Sequence, residues 1–365
     1  MLSLPATSHR APPTARFPHR TRRRECPAPL PQRDLLHAAT PPRPVPDFQH
    51  DVLNGLAQRR KSIPSMWLYD HHGSELFEAI TRLDDYDLTR RETQLLEQCA
   101  SQIAEEAGPG ATLIELGSGS SRKTSLLLDA LDTPRAYLPI DISGQFLGES
   151  VAALRQRHAG LRILPVVADF TRLDSLPELA LLDDGDSERG RGRRIVFFPG
   201  STIGNFAPDA AVALLRRIAQ AVGPDALLVI GADSTHDPAL LIPAYDDRQG
   251  VTAAFNLNLL RRINRELGAN FSLDAFAHEA RFDAGQERVE MHLVSRYTQR
   301  VTVCGRPFMF AMGESIHTEN SYKHSLSRFR KLVAQAGWVH TQRWVDGQAR
   351  FAIHVLTREQ NVTSR

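Results

Sequence analysis

With 365 residues, 42% of them hydrophobic and 24% charged, the chain can bury one large core or two modest ones. A formal charge of +2 leaves no global footprint for nucleic acid. The three cysteines, Cys26, Cys99 and Cys304, stand too far apart for a Cys-x-x-Cys ligand pair or a disulfide framework, so a reducing, cytoplasmic setting is expected. No apolar run approaches the roughly 18 residues that span a bilayer, and no membrane partner is expected.

The first 46 residues stand apart. They hold 11 of the 23 prolines and eight arginines with almost no acids, a composition that builds no core and predicts disorder. The arginines also suit a transit or nucleic-acid tail, but the proline density opposes the amphipathic helix a transit peptide needs. A dispensable extension, or a start codon assigned too early, is the plainer expectation.

Beyond this extension, residues 112–116, 136–141, 162–168, 194–199 and 225–231 predict strands, and 123–131, 144–158 and 208–221 predict helices between them. Strand and helix in alternation give a parallel α/β sheet with right-handed crossovers. The carboxyl ends of the strands bring Glu115, Asp141, Asp169 with Phe170, Pro199-Gly200-Ser201 and Asp233 to one rim, where open sheets of this class hold ligands.

At that rim the first strand runs into Glu115-Leu-Gly117-Ser-Gly119, whose glycines permit a tight turn and close approach to a ligand. The second strand ends in Asp141, about 20 residues on, where an acid commonly holds a ribose. A dinucleotide fingerprint needs a third small residue where Arg122 stands, which weakens the case for a pyrophosphate. S-adenosylmethionine carries no phosphate and fits better, although such a turn also serves packing alone.

After Asp233 the alternation stops. A helix over 253–267 precedes short segments at 276–282, 288–295, 300–303 and 308–312, which suggest an antiparallel sheet. A helix over 325–336, C-capped by Gly337, leads to a hairpin of 338–345 and 350–357 closed over Asp346-Gly347. The expected organisation is an extension over 1–46, an α/β domain over 47–235 plus 323–365, and a smaller α+β domain over 236–322 inserted as a lid on the rim.

Several separated motifs share one resemblance. Tyr69-Asp-His-His-Gly-Ser-Glu-Leu-Phe, followed by Leu-Asp-Asp-Tyr86-Asp-Leu-Thr-Arg90-Arg-Glu92, is similar to the signature of the histidine Nα-methyltransferases of ergothioneine biosynthesis. The likeness continues through Glu-Leu-Gly-Ser-Gly119, Phe-Phe-Pro-Gly-Ser-Thr-Ile-Gly-Asn205, Ala-Tyr245-Asp-Asp, Glu290-Met291 and Glu-Ser-Ile-His-Thr-Glu319-Asn-Ser321-Tyr-Lys323, and covers about residues 50–357. It implies a Rossmann-like class I fold with an inserted α+β substrate-binding domain. It also implies three methyl transfers from S-adenosylmethionine to the α-amine of L-histidine, giving hercynine.

For the cofactor, the rim offers Gly117 and Gly119 to form the turn, Lys123 to reach the methionine carboxylate or fix the turn, Asp141 to bind the ribose hydroxyls and Asp169 with Phe170 to flank the adenine, with Ser118 and Ser143 as second choices. Any of the acids could instead be a helix N-cap. For the substrate, the resemblance implies that Tyr69 orients the amine as the catalytic residue, Asn205 and Tyr245 hold the carboxylate, Glu319 and Ser321 hold the imidazole, and Tyr86 and Met291 line the ring. Tyr69, beside Trp67 and Leu68, could equally be a core aromatic, Asn205 a turn residue after Gly204, and Glu319 the i,i+4 helical partner of Lys323.

Methyl transfer to an amine is an in-line displacement by the neutral nitrogen, so positioning and desolvation carry the rate and the site must favour the unprotonated amine. Tyrosine, with an ordinary pKa of about 10, orients before it acts as a base. Two departures stand out: Asp87-Leu88 replaces the family's tyrosine and proline, which would alter closure of the substrate loop, and Asn320 replaces a valine of the mycobacterial type, which puts a polar group near the imidazole. Methylation of another amino acid such as a tryptophan derivative, or a non-catalytic S-adenosylmethionine-binding module, are the other readings. A nucleic-acid methyltransferase anchored by the arginine-rich tail is disfavoured. The histidines form no metal-ligand spacing, so no metal is expected, and a monomer acting on a small molecule is.

Overall fold

The computed structural model describes residues 47–182 and 192–358. The expected disordered extension over 1–46 lies outside them, as do the last residues, 359–365, of the expected α/β domain. Among the described residues three α-helices precede the first strand: α1 (Phe48–Ala57), α2 (His71–Ile80) and α3 (Leu88–Ala107). The Asp47 and Asp70 carboxylates start the first two by accepting the amides of His50 and Gly73.

The α/β alternation follows as β1 (Thr112–Leu116), α4 (Arg122–Ala130), β2 (Ala136–Asp141), α5 (Gly144–Arg157), β3 (Arg162–Ile163), β4 (Val166–Val167), β5 (Arg194–Phe198), α6 (Pro208–Val222) and β6 (Leu227–Asp233). The strand expected over 162–168 is broken in two. The break falls opposite Leu138 and Pro139 of β2, where Pro139 has no amide hydrogen to offer, and Pro165 lies in the gap itself.

From β6 the chain passes into α7 (Pro238–Tyr245), α8 (Val251–Leu267), β7 (Phe276–Asp283), β8 (Arg288–Ser295), β9 (Gln299–Val303), β10 (Arg306–Phe310) and β11 (Ser315–Tyr322). It then returns through α9 (Leu326–Gln335), β12 (Trp338–Val345) and β13 (Phe351–Arg358). The large sheet runs β12-β13-β6-β5-β1-β2-β3, with β4 also on β2. Its strands are parallel except β13, which pairs antiparallel with both β6 and β12. The order reverses between β1 and β5, which makes the loop after β1 the topological switch point.

Side chains alternate between two cores. Leu113, Tyr137, Phe197 and Val229 join one, with Leu95, Leu96 and Ile103 of α3, whereas Ile114, Leu138, Val196 and Leu228 join the other, with α6 and α9. Both faces are covered, so these strands read as unbroken apolar runs. The residues between β6 and α9 build a three-stranded antiparallel sheet, β11-β8-β7, and the separate pair β9-β10. The N-terminal segment, which the sequence reading gives to the α/β domain, packs α2 on α8 and pairs Ser62 with His317 of β11. No helix among the described residues is long and apolar enough to cross a membrane.

Candidate active site

β1 leaves the sheet at Gly117, whose φ of +70° lies in the left-handed region that glycine tolerates. This turn lets the Gly117 amide donate to the Ile140 carbonyl at 2.8 Å. The Gly119 amide reaches one Asp141 oxygen at 3.1 Å and the Ser143 amide the other at 2.9 Å. Asp141 is therefore fixed by backbone from two turns. Burial pushes its carboxyl pKa upward, with those amides opposing the shift.

A cavity of about 940 Å³ opens beside these turns. Its wall includes Gly117, Ser118, Gly119, Lys123, Asp141, Asp169 and Phe170 from the rim, and Tyr69, Tyr86, Asn205, Tyr245, Met291, Glu319 and Ser321 from elsewhere in the chain. Ser143 is not part of that wall. It borders a neighbouring cavity of about 210 Å³ and bears on the main one only through its amide bond to Asp141.

The rim residues divide by what they touch. The Ser118 hydroxyl is buried without a partner. Lys123 donates to Glu92 at 2.5 Å, and Glu92, fully buried on α3, also accepts the Gly200 amide at 2.9 Å. That ion pair ties α4, α3 and the loop after β5 together. Asp169 is an N-cap as well as a wall residue, because one of its oxygens accepts the Thr171 amide at 2.9 Å and the Thr171 hydroxyl at 2.6 Å. Phe170 packs edge-on against Phe198, with ring centroids 5.5 Å apart. Glu115 accepts the Thr124 hydroxyl at 2.6 Å and the Tyr137 phenol, and burial raises its pKa to about 7.

Glu319 owes its place to an irregular strand. The β11 ladder shifts register between His317 and Glu319, so Thr318 is an extra residue and Glu319 and Ser321 face the cavity opposite Met291 and Val289. Asn205 reaches Glu319 because its loop lies on β11 at Gly204, where an added Cβ would sit 2.7 Å from the Tyr322 carbonyl oxygen. The Asn205 amide and the Tyr69 hydroxyl donate to one Glu319 oxygen at 3.3 Å and 3.5 Å. Burial raises Glu319 to about 7, against the Tyr69 hydrogen bond and the charge of Lys323.

Tyr69 packs edge-on against Phe77 and Phe255, with centroids 5.5 Å and 5.3 Å away, so it is both a packed aromatic and a wall residue. Burial, then the nearby Glu319 charge, hold its phenol well above the usual range and keep it protonated. Tyr245 donates to Ser321 at 2.7 Å, and Lys323 donates to both hydroxyls at 3.0 Å and to Asp233 at 2.7 Å.

Two expectations are corrected. Glu319 and Lys323 are not i,i+4 neighbours on a helix, since Glu319 lies in a strand and the lysine's hydrogen-bond partners are Asp233, Tyr245 and Ser321. Asn320 does not put its polar group into the cavity, because the strand turns it to the face opposite Glu319 and Ser321, where it pairs with His317 at 3.0 Å. At the departure from the family pattern, Asp87 forms an ion pair with Arg91 at 2.6 Å, while Arg90 donates to the Leu83 and Asp84 carbonyls at 2.7 Å each and holds the Tyr86 loop.

The sequence reading assigns no role to Glu92, Phe77 or Phe255, although the first two lie within the motifs quoted, and it leaves the Lys323–Asp233 pair unrecognised. Among the described residues no group of three or more His, Cys, Asp or Glu could hold a metal ion.

Comparison with known proteins finds relatives over most of the chain. A family model described as "Histidine-specific methyltransferase, SAM-dependent" matches residues 48–358. The histidine N-alpha-methyltransferase of Mycolicibacterium smegmatis is 39% identical over 317 residues, 85% of this chain and 95% of that one. Its counterpart from Mycobacterium tuberculosis is 39% identical over 316 residues, again 85% and 95%. Ergothioneine biosynthesis protein 1 of Neurospora crassa is 29% identical over 311 residues, 82% of this chain and 33% of that protein. The chain belongs to the SAM-dependent, histidine-specific methyltransferase family.

Proposed function

We propose that this chain methylates the α-amine of L-histidine three times at the expense of S-adenosylmethionine, giving hercynine for ergothioneine biosynthesis. One observation carries the assignment of roles: Tyr69, Asn205, Tyr245, Glu319 and Ser321, from four separate segments, line one cavity beside the Gly117 turn. The family and the relatives' names supply the substrate.

The rim suits S-adenosylmethionine. Ser118 offers an unused buried hydroxyl, Asp141 a carboxylate fixed by two amides, and Phe170 an aromatic face, while Lys123 is already paired with Glu92. When bound, that group supplies a methyl on a positively charged sulfur, an electrophile needing no further activation. The chain's share is therefore positioning.

Tyr69 stays protonated and gives its hydrogen to Glu319, which leaves its oxygen lone pairs to accept an N–H of the amine and aim the nitrogen. Each transfer removes one such N–H, so the hold on the substrate passes to its two ends. Asn205 and Tyr245 grip the carboxylate, Glu319 and Ser321 the imidazole, and Tyr86 and Met291 close over the ring. Residues 236–322 act as the substrate-binding insert, in a cytoplasmic, metal-free monomer.

Purified protein given methyl-labelled S-adenosylmethionine and each common amino acid in turn tests this. Histidine should take up the label and its trimethylated form should accumulate. Label on a different amino acid, or on none, rejects the assignment.

A further inference from the structure

Glu92 is fully buried on α3 and is not part of the cavity wall, yet it touches groups that serve both ends of the cavity. Its carboxylate takes the Lys123 ammonium at 2.5 Å and, with both oxygens at 2.9 Å, the Gly200 amide. Room is set aside for it: a Cβ added at Gly231 of β6 would stand 2.2 Å from a Glu92 oxygen. A buried carboxylate is costly unless paired, so the loss of either partner is resisted. On one side, Lys123 lies in the first turn of α4, directly after the glycine turn, and lines the cavity. An ammonium has three N–H donors, and the bond to Glu92 uses one of them. On the other side, Gly200 and Ser201 have φ of +78° and +54°, two left-handed residues in succession. Ser201 holds that turn, because its hydroxyl oxygen accepts the Asp233 amide at 3.0 Å and its carbonyl the Gly204 amide at 2.8 Å. The turn delivers Asn205 to Glu319.

We propose that Glu92 is a positioning residue that couples the two halves of the site, so that each ligand binds more tightly once the other is in place. The inference rests on the reading of Lys123 as a cofactor contact and of Asn205 as a substrate contact. A carboxylate bound at the cavity side of Lys123 fixes the ammonium from two directions. Glu92 then loses its freedom to shift, and the Gly200 turn, hung on both its oxygens, is ordered before the amino acid arrives. The amino acid meets a smaller ordering cost at Asn205 and binds more tightly. By linkage the cofactor gains the same factor from the amino acid.

S-adenosylhomocysteine carries the same carboxylate and has no methyl to transfer, so both ligands can be titrated without turnover. Calorimetry on the wild type should show histidine binding about tenfold tighter, or more, with S-adenosylhomocysteine present, and S-adenosylhomocysteine gaining the same factor from histidine. Glu92→Gln keeps the size and one oxygen for the Gly200 amide while removing the charge, and the factor should drop to about twofold or less. A merely structural role would weaken both ligands and leave the factor unchanged, and that outcome overturns the proposal. Glu92→Gln combined with Lys123→Gln strands neither charge, should lose the factor likewise and serves if the single variant does not fold. In the wild type itself, S-adenosylhomocysteine alone should slow amide hydrogen exchange across residues 200–206. Exchange there that does not change, or a wild-type factor below about twofold, overturns the coupling whatever the variants do. Histidine that binds neither with nor without S-adenosylhomocysteine overturns the functional reading beneath it instead.

Discussion

Glu319 carries a buried carboxyl group with two long hydrogen bonds and a pKa raised to about 7. Such a group is costly to ionise until a better donor arrives, and a ring N–H is that donor. Glu319→Gln should therefore raise KM for histidine by about 10- to 100-fold, the loss expected for a charge-assisted hydrogen bond, with S-adenosylmethionine affinity changed by less than about twofold. Asp141→Ala should do the reverse. Calorimetric titration of both ligands on both variants checks this, and equal losses in either variant would remove the division of labour. Because Glu319 accepts most strongly when ionised and the amine attacks only when neutral, kcat/KM should climb from pH 6 to pH 8, and Glu319→Gln should flatten the part of that rise near pH 7. The wall residues were legible because each is embedded in a motif whose neighbours fix its place. Lys123 was half-legible: its partner Glu92 lies 31 residues earlier on α3, and nothing local in the sequence joins them. Asn320 was misplaced because it stands between Glu319 and Ser321 in sequence, whereas alternation along β11 turns it to the face opposite both.

At the level of elements, strands covered on both faces announce themselves as apolar runs, and β1 and β2 occupy the spans that their composition predicts. β11 does not. Its sequence, Ser-Ile-His-Thr-Glu-Asn-Ser-Tyr, turns Glu319 and Ser321 toward a binding cavity, so it lacks the apolar alternation of a core strand. α3 did carry a signal, Leu88, Leu95, Leu96, Cys99 and Ile103 at helical spacing, which a search for strands passes over. Its first turn also serves the site. Arg90 spans the Leu83 and Asp84 carbonyls and thereby holds the loop that carries Tyr86 against Phe77 and Tyr245. Arg90→Ala should free that loop, raising KM for histidine by about tenfold, the equivalent of one or two lost hydrogen bonds, while leaving cofactor affinity nearly unchanged. Steady-state kinetics with each substrate varied in turn decide it, and a rise confined to the cofactor KM would contradict the role.

Across the whole molecule, buried titratable groups pull stability in opposite directions with pH. Burial raises Glu115 and Glu319 to about 7, above the ordinary carboxyl value, so between about pH 4.5 and 7 the folded protein binds more protons at these sites than the unfolded chain. Their contribution therefore weakens as pH rises through that window. Burial lowers His324 to about 4 and His354 to about 3, with Arg328 and Lys323 acting on the first and His340 and Arg343 on the second. Asp233 and Glu287 oppose the shift at His324. Here the unfolded chain binds more protons below about pH 6.5, so stability is lost as pH falls toward 4 and 3. The two pairs nearly offset one another between pH 6.5 and 4.5. Below that the carboxyl groups are already protonated in both states and only the histidine loss remains. Each unit between folded and unfolded pKa is worth about 1.4 kcal/mol per group, enough to move Tm by several degrees. Burial also lowers His278, His292, His317 and His340, so melting curves should show a shallow decline from about pH 6.5 to 7.5, a fall as pH drops below about 6.5 and the steepest loss below about pH 4.5. His354 packs on Phe329 with ring centroids 4.3 Å apart and bonds His340 at 2.9 Å, and His354→Asn keeps a polar group for His340 while removing the titration. That variant should start from a lower Tm, because it loses the ring contact, yet lose less of it between pH 5 and 3.5. An acid limb as steep as that of the wild type would show that these histidines charge without opening the sheet.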